Sequence, residues 1–389
     1  MSELKVNSIK GVAASAAAIT VNNTDGTCSV KDTNNASYRN LFINGSMRFA
    51  QRKASSTAQE YALDRWKVTM NNTGVTNTHS QHTLTSADPG PWEAGHRNAI
   101  RVELSGAGTA SADTGLTILS SIEAQDVAHS GWNYTSASSY ITLGFWFKAS
   151  TNQTFYAYFE SQDGTKQRYP FSFTASGNDT WTKITKTIPG NSNLQFDDNN
   201  GAGLRIYIEI FSGTNNTASG VSLDTWAASG SENIPDMAST WLTAGSGSTI
   251  EFTGIQLTAT DFCPDYPHTT YGQELARCQR YFQHHFSKEN EGQTFATRFT
   301  TQAQGGITYY TALRAAPTAT LKGINIHVMS TGANVDVTSM NMTISGTNYT
   351  TQTSLVALIT AGSLVQGDAC LAHGNAGDSP MGLFLDSDF

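Results

Sequence analysis

The sequence predicts an all-β protein: a jelly-roll β-sandwich and a smaller C-terminal β domain, joined by one short α-helix and preceded by an extended N-terminal arm. Three observations predict it. Only 14% of the 389 residues are charged, 34 are Gly, and Ser, Thr and Asn run through nearly every segment, a mixture that suits short strands joined by tight polar turns. From Tyr38 onward apolar and polar residues alternate with period two, the signature of half-buried strands. The length exceeds what a single core fills, so more than one unit is expected.

Residues 1–37 carry two short alternating pieces, "LKVNSI" and "AITV", then the turn "NNTDGT". Too few apolar groups occur here to offset the entropy of ordering the chain, so this arm must lie on something else. Residues 38–268 form the predicted jelly roll. Ile100, Val102 and Leu104 share one strand face, as do Ile141, Leu143, Phe145 and Phe147, and Ile206, Ile208 and Ile210. Further strands are read at "TFYAYFES", "RYPFSFTA", "WTKITKTIP" and "STIEFTGIQL", with turns at Asp163-Gly164 and Pro189-Gly190. Seven or more such strands cover their apolar faces only by stacking as two sheets.

Residues 269–288 break the pattern. Thr270 and Gln273 make a capping box, and Leu275, Cys278 and Phe282 form one apolar stripe, predicting a linking helix. Residues 289–389 return to short strands as the C-terminal β domain, with Pro317 opening an edge strand or turn.

The net charge of −8, without a basic run, excludes general nucleic-acid binding. No stretch approaches the roughly 18 apolar residues of a membrane span, and the Ala-rich start is too weakly hydrophobic for a signal peptide. The four cysteines lack metal-type spacing and read as buried free thiols. His284 and His285, adjacent on the predicted helix, diverge too far to share a ligand. No nucleophile, zinc or phosphate motif occurs, and no motif selects a glycosidase pair from Glu160, Glu209 and Asp197, so no catalytic residue is assigned. Asp197 and Asp198 in "FDDNNG" are the weak candidates for a structural Ca²⁺ loop, against an ordinary Asn/Asp turn; no cofactor is otherwise expected.

The outward aromatic residues point to binding. Trp146, Tyr156, Tyr158 and Tyr207 fall opposite the core faces, together with Arg101 and Glu209. Rings stack on the apolar faces of sugars and charged groups bond hydroxyls, so this set is the candidate glycan platform, although the same residues also build protein interfaces. Asp64-Arg65-Trp66 is read as a structural signature: alternation places Asp64 and Trp66 on one face and Arg65 outward, with Trp66 sealing the sandwich edge and Asp64 bonded by loop 53–60 or by Arg52.

In order, "NLFINGSMRFAQR", "YALDRW", "STIEFTGIQLTATDF" and "YGQELARCQRYF" resemble a recurring module of tailed-bacteriophage virion proteins of the tail-fibre and host-attachment type. "ITLGFWFKAS" and "DTWTKITKTIPG" resemble a carbohydrate-binding-module jelly roll, "LRAAP" and Leu385-Asp386-Ser387 continue the match, and "MSELKVNSI" resembles the starts of marine-phage fibre proteins. The family's acidic residue after the Q-L pair is Thr258 here, so no salt link or metal role carries over to that position. The resemblance implies a virion protein, assembled in the bacterial cytoplasm, docked on other phage proteins by its arm. It also implies a homotrimer that attaches to host surface polysaccharide without catalysis. The alternatives are a purely structural capsid-decoration or tail-connector protein, and a tailspike endoglycosidase.

Overall fold

The computed structural model describes residues 8–9, 19–21, 28–30, 39–285, 292–341, 343–344, 347–348, 351–374 and 381–389. Strands β1 (Ser8–Ile9), β2 (Ile19–Val21) and β3 (Cys28–Val30) pair as a small antiparallel sheet, and most of the predicted arm, 1–37, lies outside the described residues.

The jelly-roll sandwich contains β4 (Ser55–Ser56), β5 (Glu60–Leu63), β6 (Trp66–Asn71), β7 (Asn77–Thr83), β8 (Asn98–Leu104) and β9 (Gly115–Glu123). After helix α1 (Ala124–Ala128) it continues with β10 (Tyr140–Ala149), β11 (Thr154–Ser161), β12 (Gln167–Thr174), β13 (Thr182–Pro189), β14 (Ala202–Ser212) and β15 (Ala227–Ala228). Helix α2 (Thr240–Thr243) and β16 (Thr249–Thr258) complete it. One sheet runs β13-β10-β16-β8-β7-β4 and the other β15-β12-β11-β14-β9-β6-β5. Every pairing within them is antiparallel. The predicted inward residues do form the core: Ile141, Leu143, Phe145 and Phe147 of β10 are buried, and Phe173 packs edge-on against Phe147 with ring centres 4.9 Å apart. Each such phenylalanine contributes roughly 1.5–3 kcal/mol by leaving water. Strand β7, "NTHSQHT", was not predicted, because its inward positions are Asn77 and His79 rather than apolar residues.

The linking helix is shorter than its predicted span. Helix α3 (Tyr271–Gln279) begins at the Thr270 capping box, β17 (Phe282–His285) follows it, and the predicted residues 286–288 lie outside the described residues. There the backbone pairs with β27 (Gly382–Asp386), His284 opposite Phe384 and His285 opposite Leu383. "FQHH" has no strong helix preference, so long-range strand pairing decides its conformation. His284 and His285 are therefore separated by strand alternation, not by helical rotation; His284 stacks on Phe384 at 4.4 Å and His285 on Tyr310 at 4.2 Å.

Beyond α3, β18 (Gly292–Phe299), β19 (Gln302–Thr308), β21 (Ile324–Val328), β22 (Ala333–Asn341), β25 (Ser354–Ala361) and β26 (Ala369–Gly374) close into a barrel. β20 (Thr318–Lys322), directly after Pro317, is an edge strand of the β17-β27-β20 sheet, and β23 (Thr343–Ile344) pairs with β24 (Thr347–Asn348). Cys278 and Cys370 are buried free thiols and Cys263 is a half-buried one.

The Asp64-Arg65 pair departs from its predicted arrangement. It forms the two-residue turn of the β5-β6 hairpin, in which Leu63 faces Trp66 and Arg65 has φ 70°. Strand alternation does not operate through a turn, so Arg65 is buried rather than outward, only 1% exposed. Its guanidinium lies 3.6 Å from the Tyr281 ring centre, pairs with Asp388 and donates to the Ser121 carbonyl. Asp64 accepts bonds from the Gln51 backbone (3.2 Å) and side chain (2.6 Å), with Arg52 at 3.9 Å, rather than from loop 53–60. Burial nevertheless raises its pKa to about 6. Trp66 is fully buried on β6, next to edge strand β5, and donates to the Asn44 carbonyl.

The quoted motifs converge on this joint. Arg52 reaches Asp386 and Asp388 at 3.0 and 2.8 Å, and Arg280 grips the buried Glu123 with two 2.7 Å bonds while Tyr281 donates to it at 2.6 Å. Arg314 of "LRAAP" donates to the Ser387 and Asn200 carbonyls. A Cβ at Gly45 would stand 1.9 Å from the Ile255 carbonyl oxygen, which accounts for the "NG" start. The motif residues hold the sandwich, α3 and β27 together.

Candidate functional site

Strand register places the predicted binding residues on two different sheets. Across the outer face of the seven-stranded sheet, one row reads Pro170, Tyr158, Tyr207, Leu119, Lys67 and the next Ser172, Tyr156, Glu209, Thr117, Thr69. Trp146 and Arg101 belong to β10 and β8 of the opposite sheet. The six residues are not one patch, because period two fixes which side of its own sheet a residue faces and says nothing about which sheet holds the strand.

Trp146 is partly covered. A Cβ on Gly90 would lie 2.6 Å from its ring, and it packs with Trp92 against the cluster of Leu84, Ala99 and Trp181. Arg101 donates to Glu251 at 2.8 Å, Lys148 stands 3.3 Å from Glu251 and 3.2 Å from Asp88, and Trp181 donates to Asp88 at 3.0 Å. Arg101 is thus committed to an ion network that ties the loop after β7 to the sheet.

Three of the other four residues, Tyr158, Tyr207 and Glu209, line a cleft. Tyr158 and Tyr207 stand face to face, ring centres 4.6 Å apart and planes within 9°. They border a 220 Å³ cleft, with Glu209, Thr117 and Thr69 from the strands and Asn216, Ser231 and Asn233 from the segment after β14. Tyr156 lies opposite Glu209, beyond the residues lining the cleft. The Tyr158 hydroxyl bonds Asn233, and Arg205 donates to the Tyr207 oxygen at 3.2 Å, which fixes both rings. Burial raises both phenol pKa values, so the hydroxyls stay protonated.

Glu209 is 5% exposed. Its Oε2 accepts from Thr117 Oγ1 at 2.6 Å and Ser212 Oγ at 2.8 Å, but desolvation outweighs these bonds and raises the pKa to about 7. Near neutrality the carboxyl is therefore divided between acceptor and donor forms. Stacked rings, amides and such a carboxyl are the groups that can bond a small polyhydroxylated ring.

No protein-family model and no curated protein matches the chain. Solved structures do. A family 4 carbohydrate-binding module is similar at 13% identity, over 56% of this chain and 98% of its own, with a TM-score of 0.31. A putative sugar-binding protein from Bacteroides thetaiotaomicron is 13% identical, over 57% of this chain and 100% of its own, at TM-score 0.30. The enzymatically active domain of tailspike protein 4 from bacteriophage CBA120 is 11% identical, over 57% of this chain and 21% of its own, at TM-score 0.30.

Asp197 and Asp198 do not form a shared cage. The Asp197 amide donates to Asp163 at 3.0 Å, Asp198 meets His129 at 3.0 Å, and no cluster of three or more His, Cys, Asp or Glu suited to a metal occurs among the described residues. The sequence reading missed Thr117, Ser212, Asn216 and Asn233. Thr117 lies on β9, whose nearly continuous burial hides the alternation, Ser212 is the last residue of β14, and Asn216 and Asn233 belong to loops without periodicity.

Proposed function

We propose that this chain is a tailed-bacteriophage tail-fibre or receptor-binding protein that holds a host-surface glycan in the Tyr158–Tyr207 cleft without transforming it. The observation that carries the reading is the cleft itself, where a rigid tyrosine pair stands beside a buried, hydrogen-bonded Glu209. Glu209 is the one carboxyl among its lining residues, and glycoside hydrolysis ordinarily needs two, which supports recognition over turnover. The virion origin rests on the ordered motifs. Under this reading the protein resides in the particle as a homotrimer, anchored by residues 1–37, and multivalence strengthens weak single-site contacts. It requires no cofactor.

The test is titration of purified protein with host-surface oligosaccharides beside Tyr207→Ala. Loss of one stacking wall should weaken binding about tenfold, with a cooperative melting transition showing that the variant is still folded although its lost ring contact lowers the midpoint. Equal affinity of the two proteins, or shortening of the oligosaccharide, would refute the reading.

A further inference from the structure

Outside the six-stranded sheet, the loop between β7 and β8 meets the segment between β16 and α3. Gly95 and Gly254, at φ 90° and 62°, admit the rings of His268 and His96, and a Cβ at either glycine would come within 2.9 and 2.5 Å of those rings. His268 Nε2 bonds the Ala94 carbonyl at 2.8 Å, linking the two segments. Tyr266 packs against both histidines, with ring centres 4.8 Å away in each case. This group separates two cavities of 360 Å³ each.

The first cavity collects positive charge. Arg48 and Arg97 both line it and are exposed, and neither makes an ion pair among the described residues. Aromatic rings hold them instead: Arg97 lies 3.7 Å from the Trp92 ring centre and Arg48 4.7 Å from that of Tyr271. Two Arg97 bonds go to the Trp92 and His96 carbonyls, and the remaining guanidinium donors stay available. The one acid in the lining, Glu274, is already engaged by Arg277 at 3.0 Å, Thr269 at 2.9 Å and the Asn44 amide at 2.5 Å. His96 is 1% exposed, and its Nδ1 has no hydrogen-bond partner although the residue lines both cavities. In the second cavity Gln256, 2% exposed, likewise leaves Oε1 unpartnered, beside Trp146 and the exposed Lys183.

We infer that Arg48, Arg97 and His96 form a second binding site, for the carboxylate of an acidic sugar, with the rest of that ligand extending over Tyr266 and His268 toward Trp146. Guanidinium forks match a carboxylate in charge and shape, and an aromatic surface continuing from them suits a sugar ring. Two buried polar groups without partners, on walls of both cavities, mark places where a ligand or water completes the bonding. The site lies on the opposite sheet from the tyrosine cleft and does not depend on it.

The experiment titrates the full chain with glucuronate, glucose and inorganic phosphate, following tryptophan fluorescence, because Arg97 lies on Trp92. Glucuronate should bind, glucose should not, and Arg48→Gln/Arg97→Gln should lose at least about tenfold in affinity, the scale of a lost charged hydrogen bond. Both arginines are exposed, so the variant should stay folded, which a cooperative melting transition checks. Tyr207→Ala should bind glucuronate as the parent does, which separates failure of this site from failure of the cleft. Absence of glucuronate binding, equal binding of glucose, binding of phosphate alone, or full retention of affinity in the double variant would each overturn the inference.

Discussion

Replacing Glu209 with glutamine separates the cost of its charge from the value of its hydrogen bonds. Glutamine retains an oxygen for the Thr117 and Ser212 hydroxyls, and only the titratable group is lost. The Glu209 pKa is about 7 in the fold against an ordinary 4.5, so the folded protein holds its proton more tightly than the unfolded chain. Stability then falls as pH rises through this window, and the penalty is complete above the folded value. At pH 8.5 the difference corresponds to about 3 kcal/mol against the native state, and at pH 5 to less than about 1 kcal/mol. Glu209→Gln should therefore be the more stable protein at pH 8.5 by about that amount and nearly equal at pH 5. Urea unfolding at both values measures it. A pH-independent difference, or a glutamine variant less stable than the parent at pH 8.5, would refute the account of Glu209 as a desolvated carboxyl.

Three further outcomes follow from the same reasoning. Asp388→Asn leaves Arg65 buried without its counter-ion and should cost about 3–5 kcal/mol in urea unfolding, whereas loss of less than 1 kcal/mol would show that Arg65 had found another partner. His79 is fully buried and its pKa lowered to about 4 by desolvation, so only the unfolded chain takes up that proton as pH falls below about 6.5. Stability is lost on that descent, by about 2.5 kcal/mol at pH 4.5 for this group, and His79→Gln should flatten that part of the melting-temperature profile. Gly45→Ala should fail to accumulate as soluble protein, because the obstacle is the Ile255 backbone; a normally folded variant would contradict the close approach.

The fold was legible where one face of a strand is apolar. Ile141 through Phe147 and Ile206 through Ile210 announce their strands, and the Thr270 capping box marks the start of its helix correctly. The end of that helix was not legible, because Phe282–His285 is decided by residues a hundred positions later. Arg65 was misplaced for a related reason: alternation was extended through a turn, and its partner Asp388 lies 323 residues away. The candidate site was half legible. Outward-facing tyrosines can be read from alternation, but whether Tyr158 shares a surface with Tyr207 or with Trp146 depends on strand order, which a local pattern does not carry.

That 323-residue separation also bears on how the chain is made. While a ribosome is still adding the C-terminal barrel, the sandwich strands have already emerged, yet Arg65 cannot be neutralised until residue 388 arrives. Non-local closure of this kind delays the final packing step until late in synthesis. Until then the sandwich carries a buried cation without its counter-ion. The buried charge pair thus makes full consolidation of the sandwich conditional on the segment that follows β27.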